Sequence, residues 1–415
     1  MREIILLKTK KNIIKKNISI IYNFYSDNVR IDNINMIKNN NDIIFLTNHY
    51  DDNYNLNIIC TEYSINETLN NNNNITDLYI YNEKNNTLNL KTYTSNDTIT
   101  LTDILYIDNN KYMLGRYHQT SSLINIDGQY LDIESGFTSI LCKSDINSNL
   151  LWYRKIKHTS ESDITTGPII YNMINDQHSY IYTFGLLTNK KESTDVTNLE
   201  INEISNPIIN KTANEKILII TKLTDKDVIW RKLIKGTNNS LFLKYRIKHN
   251  IENKKDFIII SFNFSDNINI DNNVYNTKSK DFINSIIAKI DTNGNFIWIK
   301  HIKSKRYTSI IDYTIDDDYI YCLGEFKENI KLDNNYIFHN NLENGYIIKI
   351  RKYDGLILNI INIESDKKLI LNSITNDNKN IYVSGTWSGN IYFNGKIKNS
   401  INNDFFITNI KKNEI

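Results

Sequence analysis

IIAKIDTNGNFIWIKHIK (residues 286–303) consists of two short runs of alternating apolar residues around the polar turn Asp291-Thr292-Asn293-Gly294-Asn295. Alternation of period two broken by Asn-Gly is the pattern of a β-hairpin. The pattern returns in SILCKSDINSNLLWYRKIK (139–157) and ILIITKLTDKDVIWRKLIK (217–235), and in weaker form in YIIKIRKYDGLILNIINI (346–363) and LYIYNEKNNTLNLKTY (78–93). The slot holding Trp152, Trp230 and Trp298 is filled by Asn89 and Asn359 in the weaker copies. Between these hairpins falls a second signature. IYCLGEF (320–326), IYVSGTW (381–387), KYMLGRY (111–117) and IYTFGLL (181–187) share a glycine, with FIIISFN (257–263) and IIFLTNH (43–49) as degenerate copies. The six slots are Thr47, Gly115, Gly185, Ser261, Gly324 and Gly385, spaced 61–76 residues apart.

A further apolar-alternating segment precedes most of these slots, as in TITLTDILYID, GPIIYNMIND, LFLKYRIKHN, TSIIDYTIDD and KKLILNSITND. The unit is therefore four strands, recurring about every 65 residues with turn signals between them. One such sheet cannot bury both of its faces, whereas sheets packed radially can. The expected fold is all-β: a β-propeller of six blades of four antiparallel strands, with seven blades as the alternative. It would be a single domain over 1–415, with blades near 31–93, 98–158, 165–235, 241–303, 307–363 and 368–415 plus 1–25. The last blade draws its third strand from DFFITNIK (404–411) and its outer strand from NISIIYNFY (17–25), so that N- and C-terminal strands close the ring and remove an open sheet edge. EIILLKT (3–9) competes with 404–411 for the third position.

The assembled repeat, (F)I-x-A-K-I-D-x-x-G-x-x-x-W followed by D-x-x-x-I-Y-x-x-G-x-F, resembles the bacterial-type β-propeller repeat known as the seven-bladed propeller (SBBP) repeat. The best copies are 286–335 and 346–396, and WSGNIYFNG (387–395) matches that family's G-x-[FY]-x-G-x-[IV]-x-F-G ending. The chain departs from the family in its low glycine content and in degenerate copies at both ends. The resemblance implies a fold and no single activity.

About 75 Ile and about 70 Asn against two Ala and two Pro exclude collagen-like chains and a large helical bundle. With 27 Tyr and 15 Phe the apolar surface suffices for a core. This bias is what AT-rich coding would supply, and the chain resembles a protein of a large AT-rich DNA virus. Lys+Arg 49 against Asp+Glu 47 gives +2, so no global field marks a nucleic-acid or membrane partner. Cys60, Cys142 and Cys322 are far apart and form no CxxC, which argues against a disulfide framework or a structural zinc site. The start, MREIILLKTKKNIIKK, has an apolar run too short for a signal-peptide core. No stretch reaches the roughly 18 apolar residues of a membrane helix. A reducing, cytoplasmic location is expected (host cytoplasm or virion for a viral protein).

DTNGNFIW (291–298) invites comparison with the sialidase Asp-box, but its Asp-to-Gly spacing is one residue too long. Turn chemistry accounts for it, and Arg116, Arg154, Arg231 and Arg351 are not clustered as a carboxylate site would need. The run Asp316-Asp317-Asp318 suits a cation in composition. Other copies place Asp108-Asn109-Asn110 and Asn376-Asp377-Asn378 there, so a solvated hairpin tip is expected. The seven His, among them His49, His118, His158 and His301, share no metal-ligand spacing. Basic outer segments, WYRKIKH (152–158), WRKLIK (230–235) and WIKHIKSKR (298–306), are read as protected sheet edges rather than as nucleic-acid contacts. No catalytic, cofactor-binding or metal residue is assigned, and no cofactor.

Two long connections between second and third strands, 50–77 and 188–214, exceed the corresponding 327–344. Binding surfaces sit preferentially on connections. The expected function is a non-catalytic scaffold contacting a protein partner through these two loops. The alternative is a glycan-binding or glycan-active propeller using the channel mouth.

Overall fold

The computed structural model describes residues 20–24, 30–39, 42–50, 53–60, 63–70, 74–82, 87–95, 99–107, 110–117, 123–126, 129–132, 137–158, 169–188, 199–201 and 216–415, with short gaps inside the longer ranges. Apart from a 3-10 turn at Lys412–Glu414, every described element is a β-strand. Among the described residues no helix is long and apolar enough to cross a membrane. The chain divides into two compact bodies, residues 1–171 with 197–209 and residues 172–196 with 210–415.

The N-terminal body begins with β1 (Ile20–Phe24), β2 (Arg30–Asn39), β3 (Asp42–Tyr50), β4 (Asn53–Cys60), β5 (Tyr63–Asn70), β6 (Asn74–Asn82) and β7 (Thr87–Ser95). β2-β3-β6-β7 form a four-stranded antiparallel sheet. The connection 50–77 folds back as the hairpin β4–β5, and β1 adds to it through Ile20↔Cys60 to Phe24↔Leu56. This corrects the expected clasp, because the described part of 17–25 pairs with the inserted hairpin and not with 404–411. Alternating apolar residues specify which face of a strand is buried but not which edge it joins. EIILLKT (3–9) lies outside the described residues.

Next come β8 (Ile99–Ile107), β9 (Asn110–Tyr117), the small hairpin β10 (Leu123–Ile126) and β11 (Gln129–Asp132), then β12 (Phe137–Ser144) and β13 (Leu150–His158). β8-β9-β12-β13 is again an antiparallel quartet.

The C-terminal body holds four more sets. β14 (Ile169–Asn175), β15 (Ile181–Thr188), the short β16 (Leu199–Ile201, in the N-terminal body), β17 (Lys216–Leu223) and β18 (Val228–Gly236) give the order β14-β15-β17-β18. β19 (Phe242–Glu252), β20 (Lys255–Ser265), the arm β21 (Asn267–Ile270) and β22 (Asn273–Asn276), β23 (Ile283–Asp291) and β24 (Phe296–Ser304) give β19-β20-β23-β24. β25 (Tyr307–Ile315), β26 (Tyr319–Lys331), β27 (Ile337–Arg351) and β28 (Ile357–Ser365) follow. β29 (Leu369–Asn376), β30 (Asn380–Phe393) and β31 (Lys396–Lys411) form a set of three.

All six glycine-slot residues lie on the second strand of their set. Thr47↔Asp77, Gly115↔Ile140, Gly185↔Ile219, Ser261↔Ile287, Gly324↔Tyr346 and Gly385↔Phe406 are their third-strand partners. Gly324 shows why glycine is needed. A Cβ there would sit 2.1 Å from Cζ of Tyr346 and 2.6 Å from the Ser309 carbonyl oxygen. A first-strand bulge falls immediately beyond the slot's partner at Leu101/Asp103, Ile310/Asp312 and Leu371/Ser373. For Thr47 and Ser261 the bulge falls on the other side of the slot, at Ile31/Ile34 and Leu243/Arg246.

The β25–β28 quartet is buried on both faces. Cys322, Tyr346 and Ile348 enter one core with Phe257, Ile259 and Ile287 of the preceding set. Their neighbours along the strand, Leu323 and Ile347, enter a second core with Leu371, Val383 and Ile391 of the following set. Strands covered on both sides read as near-continuous apolar runs, as in IYCLG and YIIKI.

The outer strands are not wholly open edges. The ends of β13, β18, β24 and β28 are each capped by an arm from the next second-to-third connection: Ile156↔Ile201, Gly236↔Ile268, Ser304↔Ile330 and Ile363↔Phe393. The basic segments read as exposed edges are thus paired at their C-terminal ends, and Lys232 Nζ meets Asp271 Oδ1 of the arm at 2.7 Å.

Candidate site at Asp176, His178 and Asp256

The turn from β14 to β15 reads Asp176-Gln177-His178-Ser179-Tyr180. An Asp at the head of such a turn can bond its own downstream amides and so mimic a backbone turn. Here Asp176 Oδ1 accepts from the backbone N–H of His178 at 2.9 Å and of Tyr180 at 3.1 Å. Oδ2 accepts from the Tyr182 hydroxyl at 2.8 Å. Burial, and then this bond, raise the Tyr182 phenol well above its ordinary value. Lys222 comes in from β17 directly opposite Tyr182. Its Nζ lies 3.8 Å from Asp176 Oδ2, sits 4.0 Å from the Tyr180 ring centre and donates to the Thr292 carbonyl at 3.2 Å. Desolvation lowers the Lys222 ammonium, against the pull of Asp176, Asp256 and Asp291.

His178 Nδ1 is 3.1 Å from Oδ2 of Asp256, the second residue of β20. The imidazole is 71% exposed and the Asp256 side chain 3%. One ligand atom each from Asp176, His178 and Asp256 lies within 4.8 Å of the other two.

The residues singled out by sequence lie elsewhere. Asp291 heads the 291–298 turn, accepting from the N–H groups of Asn293 at 2.9 Å and Asn295 at 2.8 Å. Asp145 and Asn149 repeat that geometry. Asp316 accepts from the N–H groups of Asp318 and Tyr319 and meets Lys412 Nζ at 2.6 Å, so the acidic run is a turn tied to a lysine. His301 stands against Phe264 and Tyr275 and shares a hydrogen bond with Asn284. His118 lies outside the described residues. Arg154 packs over Trp152, and Arg351 forms a two-point pair with Asp354, whose carboxyl that guanidinium holds down at about 2. Cys142 and Cys322 are buried free thiols. Of the connections, 50–77 carries β4 and β5, and 188–214 carries β16.

The repeated Trp and Lys positions have a structural use. Trp230 Nε1 and Lys222 Nζ both donate to the Thr292 carbonyl. Trp298 Nε1 and Lys289 Nζ both donate to the Lys352 carbonyl, in the corresponding turn of the next set. Gly355 of that turn, at φ +73°, lies against the Trp298 ring, where a Cβ would come within 2.7 Å. Lys349, whose set has Asn359 in place of Trp, reaches the carbonyls of Lys412 and Ile415.

Sequence pattern does not reveal the meeting of His178 with Asp256, because they are far apart in the chain and come together only when one hairpin packs beside the next. The one local clue was the Asp-x-His spacing at 176–178. No protein-family model matches the chain, and no curated protein matches it.

Proposed function

We propose that the chain is a six-bladed β-propeller scaffold, non-catalytic, that engages a protein partner through the connections 50–77 and 188–214. The observation carrying the reading is the elaboration of connection 50–77. It carries its own hairpin β4–β5, to which β1 pairs, beside a four-stranded quartet, whereas the counterpart connection 327–344 is formed by the extended ends of β26 and β27 paired with each other. Added structure on a connection, held by a regular sheet scaffold, is the usual place for recognition. Five antiparallel quartets and a set of three, with the β25–β28 quartet covered on both faces, support radial packing of blades. Asp291, Asp316, His301 and Arg351 are engaged in turns and side-chain pairs, in keeping with a scaffold. The repeat resemblance and the viral coding bias agree with this reading and add no activity to it.

The test is to replace 53–70 by a short Gly-Asn turn and, separately, to shorten 188–214, then to cross-link each variant in its native host. Loss of a defined adduct from one variant, with an unchanged thermal transition, is the expected result. Identical adducts from both variants and the full chain would reject it.

A further inference from the structure

The Asp176–His178–Asp256 cluster has the chemistry of an ion site, and three observations bear on it. First, the donor set is one imidazole nitrogen and two carboxylate oxygens, with the two oxygens buried and the imidazole at the surface. A first-row divalent cation such as Zn²⁺ takes this mixture of ligands, with bonds near 2.0–2.2 Å, whereas Ca²⁺ and Mg²⁺ prefer an all-oxygen shell. Nitrogen and oxygen ligands on one such ion stand roughly 3 Å apart by that bond length. The 3.1 Å between His178 Nδ1 and Asp256 Oδ2 fits.

Second, the buried Asp176 carboxylate has one acceptor position to spare. Oδ1 serves two backbone amides, Oδ2 serves the Tyr182 hydroxyl, and Lys222 stops at 3.8 Å, beyond hydrogen-bond reach. Third, Lys222 is an ammonium set among the carboxylates of Asp176, Asp256 and Asp291, and the exposed imidazole beside them offers a way in.

We propose that Asp176, His178 and Asp256 bind a first-row divalent cation, completed by water, that ties the β14–β15 turn to the start of β20. The ion would be structural, joining two neighbouring hairpins, with Tyr182 holding the Asp176 carboxylate in place as second-layer support.

Titrating the full-length, chelator-treated chain with Zn²⁺ by calorimetry should give one saturable site at micromolar concentration, and the thermal midpoint should rise with added Zn²⁺. His178→Ala and Asp256→Asn should each weaken binding by about tenfold or more. Co²⁺ in place of Zn²⁺ should give the visible absorption of a four- or five-coordinate site in the full chain and lose it in His178→Ala. His178 is exposed, so its variant decides the matter even if Asp256→Asn does not fold. Absence of saturable Zn²⁺ binding, or binding and Co²⁺ absorption unchanged in His178→Ala, would overturn the proposal. A simple imidazolium–carboxylate pair predicts that result.

Discussion

Three turns that join a first strand to a second use the same aspartate in different surroundings. Asp176, Asp316 and Asp377 each accept two downstream backbone amides on Oδ1. Each also hydrogen-bonds a tyrosine near the start of the next strand: Tyr182, Tyr321 and Tyr382. What differs is the company of Oδ2. At Asp316 a lysine ammonium, Lys412, closes to 2.6 Å and balances the charge. At Asp176 the lysine stays at 3.8 Å and a second carboxylate and an imidazole crowd in. At Asp377 the described partners are the amides and the Tyr382 hydroxyl. The same local sequence rule therefore builds the turn, and packing against the neighbouring strand decides whether the carboxylate is a capping group, half of an ion pair or part of a cluster.

Removing these carboxylates one at a time should separate the three. Asp176→Ala should be the most damaging, at about 3 kcal/mol or more, because it strands the buried Lys222 and the Tyr182 hydroxyl together. A denaturant midpoint shifted by less than a third of that would show that Lys222 does not depend on Asp176. Asp316→Asn should cost less, about 1–2 kcal/mol, since the amide still accepts from the turn while the partly exposed Lys412 loses its partner.

Asp316 also carries a pH signature. Burial works to raise its carboxyl, but Lys412 and the amides of Tyr319 and Asp318 outweigh burial and hold it below its ordinary value of 3.8. A carboxyl depressed in the folded state contributes stability that is complete above the unfolded value and lost as pH falls through the folded one. Stability of the full chain should therefore drop as pH goes below 3.8, and Asp316→Asn should flatten that part of the curve. An unchanged acid limb in the variant would remove Asp316 from the account. Asp377→Asn should be the mildest, below about 1 kcal/mol, as expected for a capping group whose replacement keeps an acceptor. An effect matching that of Asp176→Ala would mean that burial of the pair, and not the turn, is irrelevant to the ranking.

How far residues alone lead is set by the range of the interaction. The hairpin at 286–303, the six slots from Thr47 to Gly385 and the Trp152, Trp230 and Trp298 positions follow from period-two alternation and turn residues, which act within a few positions along the chain. The six slots do lie on second strands, each paired to a third strand. The reason for glycine at 324 needed the Tyr346 ring in place, and the reason for tryptophan needed the Thr292 and Lys352 carbonyls of the following turns. The partner of β1 was beyond reach, since strand pattern carries no information on edge choice. The meeting of His178 with Asp256 was hidden for the same reason, being a product of how one hairpin lies beside the next.

The arms that cap the outer strands impose an order on assembly. Gly236 finds Ile268, Ser304 finds Ile330 and Ile363 finds Phe393, always in the set that follows in the chain. During synthesis the quartets ending in β18, β24 and β28 therefore each hold an unfinished outer edge until the next arm has left the ribosome. A chain cut between Ser304 and Ile330 would keep a ready template for pairing with a second copy of itself. Shortened forms ending inside an arm should accordingly collect as aggregates, while those ending after it stay in solution.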